Sequence, residues 1–261
     1  MMDSGIISYR GYKRTMLRRG KDISKLPDED TFRELYVEFV KKHQKDWDFC
    51  VTVDMKPVAA DVLKQHKKIE SMGIRPVPVY HGDVDVEWLK RYVDMGYNFI
   101  CLGGSAPAFG GSAAVARTDK RVKSQYLDRV FNFGAKHKVE FHGLGLTSPW
   151  TMLSFPWRSC DSSWWSRSAG YGSIMRWNDV TDRMSVLHIS PKISKAQAKD
   201  ALFKANKTAM QRLREELKEE GFDLDLLRDD FTERHVYNAM SMMKLAETAT
   251  KRRRGVWNLL F

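Results

Sequence analysis

Two aspartates, Asp3 and Asp161, stand at opposite ends of a region in which short apolar runs alternate with helical patterns. Between them come Asp54, His81-Gly82, Gly103-Gly104 and His142-Gly143, each closing an apolar run. Two carboxylates suffice for a double displacement at an anomeric carbon: one attacks, and the other moves a proton on and off the leaving group. A third, Asp54, can accept hydrogen bonds from the N–H edge of a heterocycle. Glycines at strand ends let backbone amides approach a flat ligand. Tyr80, Phe109, Trp164 and Trp165 offer stacking faces. Each position also has an ordinary role open to it. Asp3 could fray with the chain start, Asp161 could cap the turn at Ser162-Ser163, and Asp54 could cap the next helix. His81 and His142 could be satisfied core histidines, Gly103-Gly104 a turn, and the tryptophans packing.

The elements that must position these residues follow from periodicity. Residues 49–53, 77–80, 99–102 and 139–146 read as strands, with 159–161 another strand end, while the basic stretch 10–21 reads as loop. Phe32, Leu35, Tyr36, Phe39 and Val40 recur at helical spacing. Further helices cover 58–72 up to Gly73, run through Trp88, Leu89 and Val93 to Gly96, and carry Val122, Tyr126, Val130 and Phe133. A short helix starts at Pro149. Strands joined by helices predict a parallel β/α architecture, in which reactive groups collect at the C-terminal strand ends.

From about Gly172 the pattern changes. Residues 173–177 and 186–189 predict an antiparallel hairpin turning at Asn178-Asp179. A long helix comes next, opened by the capping box Ser194-x-x-Gln197 and continued by Leu202, Ala209, Leu213 and Leu217. A last helix carries Val236, Met240, Met243 and Ala246, its methionines read as core packing, and ends in a basic run that includes Arg252, Arg253 and Arg254. Residues 1–171 thus form a β/α catalytic region, and 172–261 a basic extension of hairpin and helices.

The 261 residues are 43% hydrophobic and 30% charged, ordinary for a globular protein, but carry a formal charge of +11. That charge suits a polyanionic partner, nucleic acid first, with Arg252 to Arg254 as candidate phosphate contacts. Cys50, Cys101 and Cys160 lie far apart without CxxC spacing, which argues against a disulfide framework and against a structural zinc. No metal or cofactor is expected. No run approaches the ~20 apolar residues of a membrane span, and the start is too polar for a secretory leader, so a cytoplasmic protein without membrane contact is expected.

In order along the chain, these strand ends resemble the tRNA-guanine transglycosylase superfamily. Asp3-Ser4-Gly5 resembles its DSG motif, whose aspartate handles protons on the exchanged base. Asp54 falls where the family carries a base-recognising aspartate, and His81-Gly82 resembles the strand end that supplies a glutamine and glycine to that pocket. Leu102-Gly103-Gly104 is similar to the LGG turn that contacts the base, and His142-Gly143-Leu144-Gly145 with Thr147 and Pro149 to the GxGTP segment. The segment from Ser159 through Cys160, Asp161, Ser162 and Ser163 to Trp164 resembles the one bearing the nucleophile. The HGLG and DSSW segments are most similar to the phage and bacterial branch that places 7-deazaguanines in DNA. The resemblance covers residues 3 to about 177.

The resemblance implies a TIM-like (β/α) barrel. Two barrel strands precede the DSG strand in the family, whereas DSG begins at residue 3 here, so the first two strands are expected to be lacking. The family's CxCxxC zinc site also has no counterpart, which suits the DNA branch. The implied activity exchanges guanine in DNA for a free 7-deazaguanine through a covalent aspartyl-glycosyl intermediate. Asp161 would be the nucleophile and Asp3 the acid/base. Ser4, Asp54, His81, Gly82, Gly103, Gly104, His142 and Gly143 would hold the base. Two alternatives stand beside it: the same exchange on tRNA, and a catalytically reduced nucleic-acid-binding subunit. A homo-oligomer or companion subunit is possible under either, and the location would be the host cytoplasm if the gene is phage-borne.

Overall fold

The computed structural model describes residues 1–54, 58–81, 86–103, 120–146, 148–190 and 207–260, without the side chains of residues 7, 120–123 and 254–260. Gly82, Gly104, Phe109, Thr147, Ser194, Gln197 and Leu202 lie outside the described residues. The chain divides into two compact units, Met1–Leu144 with Trp157–Cys160, and Gly145–Pro156 with Asp161–Phe261.

The first unit is α/β. Its helices are α1 (Ile6–Arg18), α2 (Glu29–Lys42), α3 (Ala59–Ser71), α4 (Glu87–Asp94) and α5 (Lys120–His137). Its parallel sheet runs β1 (Val79–Tyr80), β2 (Phe99–Leu102), β3 (Glu140–Gly143) and β4 (Ser159–Cys160), in chain order. Two parallel bridges, Val51 with Val77 and Met2 with Cys50, continue the array by one further segment each. Met2 N–H donates to the Phe49 carbonyl at 2.8 Å, and Val51 N–H to the Met2 carbonyl at 3.1 Å. Six parallel segments therefore succeed one another in chain order. No pairing closes the first onto the last among the described residues.

The strands are short and inward-facing on both sides, as parallel strands covered by helices must be. Ile100, Cys101 and Leu102 are wholly buried, and Val79 and Tyr80 nearly so. Ile6, Tyr36, Val37, Val40, Val53 and Ile69 form one core cluster under α1, α2 and α3. Glycines end helices where the chain must turn left-handed, as at Gly73 (φ 86°) and Gly96 (φ 83°).

The stretch expected as a basic loop is a correction, because residues 6–18 are helical. Ile6 is buried and Tyr9 packs on the same cluster, stacked on Phe32 at 4.7 Å between ring centres. Arg, Lys, Met and Leu then extend a helix that needs only this narrow apolar edge.

The second unit contains α6 (Pro149–Ser154), α7 (Trp164–Gly170), the antiparallel hairpin β5 (Ser173–Asn178) and β6 (Arg183–His188), α8 (Lys207–Glu219), α9 (Leu224–Asp229) and α10 (Phe231–Leu260). The expected hairpin is present, turning after Asn178, whose side chain accepts the N–H groups of Val180 and Thr181. Leu213 and Leu217 of α8 are buried as expected, in a cluster with Ile174, Ile189, Leu224, Leu227 and Tyr237.

The apolar face read for α10 is the second correction. Val236, Met240 and Met243 are exposed, at 48%, 37% and 61%. The buried face instead presents Arg234, Tyr237, Asn238, Ser241 and Leu245. Asn238 accepts the Met175 N–H at 2.6 Å and donates to the carbonyls of Trp165 and Ser173 at 2.9 and 3.1 Å. Ser241 Oγ accepts the Trp177 N–H at 2.8 Å. The helix thus occupies the strand edge of β5 that β6 leaves open, satisfying backbone groups with side chains. Arg234 donates to the carbonyls of Ala169, Leu227 and Arg228, and burial holds its guanidinium below the usual range.

Candidate functional site

The residues predicted to carry chemistry leave the parallel segments in the first unit at their C-terminal ends. Asp3 comes directly after the bridge residue Met2, Asp54 after the segment at Val51, His81 after β1 and Gly103 after β2, while Gly143 ends β3. Asp161 is the next residue after β4 and is grouped with the second unit.

Asp3, Ser4 and Gly5 form one strand-to-helix turn. Asp3 is exposed and its Oδ1 accepts the Ser4 N–H at 2.7 Å. Ser4 is buried, its hydroxyl 3.5 Å from the Ile6 N–H at the start of α1. Gly5 sits at φ 68°, a left-handed conformation that glycine adopts without the Cβ clash other residues suffer. Tyr36 of α2 holds this turn against its neighbour. Its hydroxyl donates to the Val51 carbonyl at 2.7 Å and stands 3.4 Å from that of Met2. Burial raises the Tyr36 phenol well above its usual range, so it stays a neutral hydrogen-bonding group. Tyr36 is a positioning residue, and in the sequence it shows only as part of a helical stripe.

Asp54 and His81 meet across adjacent segments: the Nε2 of His81 bonds the Asp54 carboxylate, and both side chains are partly open to solvent. Gly103 completes the arrangement from the third segment. A Cβ at Gly103 would run into Cε1 and Nδ1 of the His81 ring, so the imidazole lies against bare backbone. A histidine fixed by a carboxylate can keep one tautomer and pass a proton. The same carboxylate can accept N–H groups of a heterocycle.

His142 is buried at 2% exposure, its Nδ1 2.8 Å from the Ser159 hydroxyl of β4 and its ring edge-on to Phe49. Tyr80 is 1% exposed and is core, not a stacking face. Trp164 is 44% exposed, while Trp165 packs edge-on to His235.

In the second unit, Oδ1 of Asp161 accepts the Gly145 N–H at 3.2 Å, which joins the HGLG segment to the one bearing the aspartate. In the turn beyond it, the Ser162 hydroxyl accepts the Trp164 N–H at 3.0 Å. Arg252 forms a two-pronged pair with Asp182 in the hairpin turn, at 2.8 and 2.6 Å, which keeps that carboxyl below its usual range. Arg253 is half-buried, and the side chain of Arg254 lies outside the described residues.

Among the described residues no group of three or more His, Cys, Asp and Glu is placed to hold a metal ion, and no helix is long and apolar enough to cross a membrane. No protein-family model, curated protein or solved structure matches this chain.

Proposed function

We propose that the chain is a glycosyl-transferring enzyme built on part of a TIM-like barrel. More specifically, it exchanges guanine in DNA for a free 7-deazaguanine. The observation that carries this reading is the series of strand ends. Parallel segments in chain order end in Asp3, Asp54, His81, Gly103 and Gly143, and β4 leads into Asp161. A parallel sheet is the scaffold on which C-terminal strand ends gather catalytic groups.

In this reading an Asp161 oxygen attacks C1′ of the target nucleotide, the C1′–N9 bond breaks, and guanine leaves with a proton from Asp3. The incoming base loses its N9 proton to Asp3 and attacks C1′, expelling Asp161. Two inversions retain the sugar configuration. Asp54, held by His81, accepts N–H groups of the base, and Ser4, Gly103, His142 and Gly143 line its seat. In duplex DNA the base must first be unstacked, at a cost of a few kcal/mol.

The test is incorporation of labelled guanine into DNA and into tRNA, with Asp161→Asn and Asp3→Asn beside the unaltered chain. Asp161→Asn should abolish exchange and any denaturation-resistant adduct. Asp3→Asn should lower exchange by roughly 10²- to 10⁴-fold. An adduct that survives Asp161→Ala overturns the nucleophile assignment. Label in tRNA alone moves the substrate to tRNA, and binding without exchange on either polymer replaces the enzyme by a binding subunit.

A further inference from the structure

Residues 5–21 hold six cations, Arg10, Lys13, Arg14, Arg18, Arg19 and Lys21, and no acid. Helix α1 sorts them. Its inner edge carries Ile6 and Tyr9 into the core, with Lys13 half-buried near the Tyr9 ring. Arg10 pairs with Glu29. Arg14, Arg18, Arg19 and Lys21 are exposed, together with Tyr12 at 53%. None of these four cations has an acidic partner among the described residues, whereas Arg33 and Lys68 pair with Asp30, and Arg158 with Glu140, in the same unit. Favourable charge at a helix C-terminus accounts for Arg18 and Arg19. It does not account for Arg14, a full turn earlier, or for Lys21 beyond the end.

We propose that this outward face of α1 binds the phosphodiester backbone of a nucleic acid. Arg14 and Arg18 stand one turn apart, about 6 Å along the axis. Exposed arginines at that separation can each take a different phosphate of a polymer that carries a negative charge every ~3.4 Å of axis per strand. Tyr12 adds a ring on which an unpaired base can stack. The helix begins at the turn that carries Asp3, so a strand lying along it is delivered to that aspartate. Its purpose rests on the proposed base exchange, but its test does not.

The test is binding of a fluorescent DNA oligonucleotide across a salt series. Arg14→Gln, Arg18→Gln, Arg19→Gln and Lys21→Gln are combined in one chain, with the circular dichroism spectrum and Tm checked against the unaltered protein. A control removes four other exposed cations of the same unit: Lys42, Lys45, Lys64 and Lys67, each to Gln. The α1 variant should bind at least ten-fold more weakly at about 0.1 M salt. The slope of log K against log salt should fall in magnitude by about 3 to 4. The control should keep most of both. Equal losses in the two variants, or none in the α1 variant, overturn the proposal. Loss of binding to phosphatidylserine vesicles but not to DNA overturns it in favour of a membrane surface. If the α1 variant loses DNA and the unaltered chain exchanges no base, the surface stands and the enzyme reading falls.

Discussion

Gly103 has no side chain, and that absence positions His81. Placing a methyl group there pushes the imidazole off its bed and away from Asp54. Gly103→Ala is therefore expected to cost about 1–3 kcal/mol, as overpacking usually does. Adding His81→Ala should return most of that loss, because the clash partner is gone. Additive losses in urea unfolding of the three variants would show that the ring and the glycine are not in contact. His66 offers a second residue-level test. It is wholly buried between Thr52 and Tyr97, with ring nitrogens 2.7 and 3.0 Å from their hydroxyls. Burial lowers its pKa from 6.5 to about 4, against the pull of Glu70. Between those values the unfolded chain binds more protons than the folded one, so stability is full above about pH 6.5 and drains away towards pH 4, by up to roughly 3 kcal/mol. His66→Gln should flatten the unfolding free energy across that window relative to the unaltered chain, and parallel curves would refute the assignment. Chemical type and strand-end position made Asp54, His81 and Gly103 readable as a group. Their mutual contact was not readable, since it depends on the register of three neighbouring segments.

At the scale of elements, apolar periodicity served where burial is apolar and misled where it is polar. The parallel segments, α3 and α4 obey their hydrophobic spacing, with glycines at the exits of both helices, whereas α2 buries Tyr36, Val37 and Val40 and leaves Leu35 and Phe39 of the expected stripe exposed. Helix α10 does not, because its buried face works through hydrogen bonds, from Asn238 and Ser241 to β5 and from Arg234 to the carbonyls of Ala169, Leu227 and Arg228. Val236, Met240 and Met243 share a stripe too, and a stripe in sequence does not say which way it faces. Helix α1 was missed for a related reason: its core contact is confined to Ile6 and Tyr9 among many cations. The wholly buried Asn238 carries the prediction here. Asn238→Ala strips the Met175 N–H and two carbonyls of their partners and is expected to cost about 2–4 kcal/mol. Val236→Ala, on the exposed stripe of the same helix, should stay within about 0.5 kcal/mol. If chemical unfolding shows equal costs, the helix docks by another face.

At the scale of the whole molecule the chain passes between its two units three times, after Leu144, after Pro156 and after Cys160. Composition carries no sign of this weave, since it lies in contacts distant in sequence. The change of pattern near Gly172 marks where strands and helices stop alternating, yet α7, just before it, already belongs to the second unit. Arg234 holds the Ala169 carbonyl, His235 Nε2 stands 2.9 Å from the Ser166 carbonyl, and Asn238 holds that of Trp165. Ending the chain at residue 171 would remove all three partners and also β5, against which α7 and α10 pack. Asp161 and its Gly145 contact would then rest on a segment without its core, as Ile174, Ile189, Leu213, Leu217 and Tyr237 would be gone. A buried carbonyl left unpaired costs about 1–3 kcal/mol, and loss of the cluster costs several times that. The shortened chain is therefore expected to lose near-ultraviolet circular dichroism from its tryptophans and to expose apolar surface to a hydrophobic dye, while the full chain does neither. A soluble 1–171 chain with a cooperative thermal transition and native-like tryptophan signals would show that residues 1–171 fold on their own.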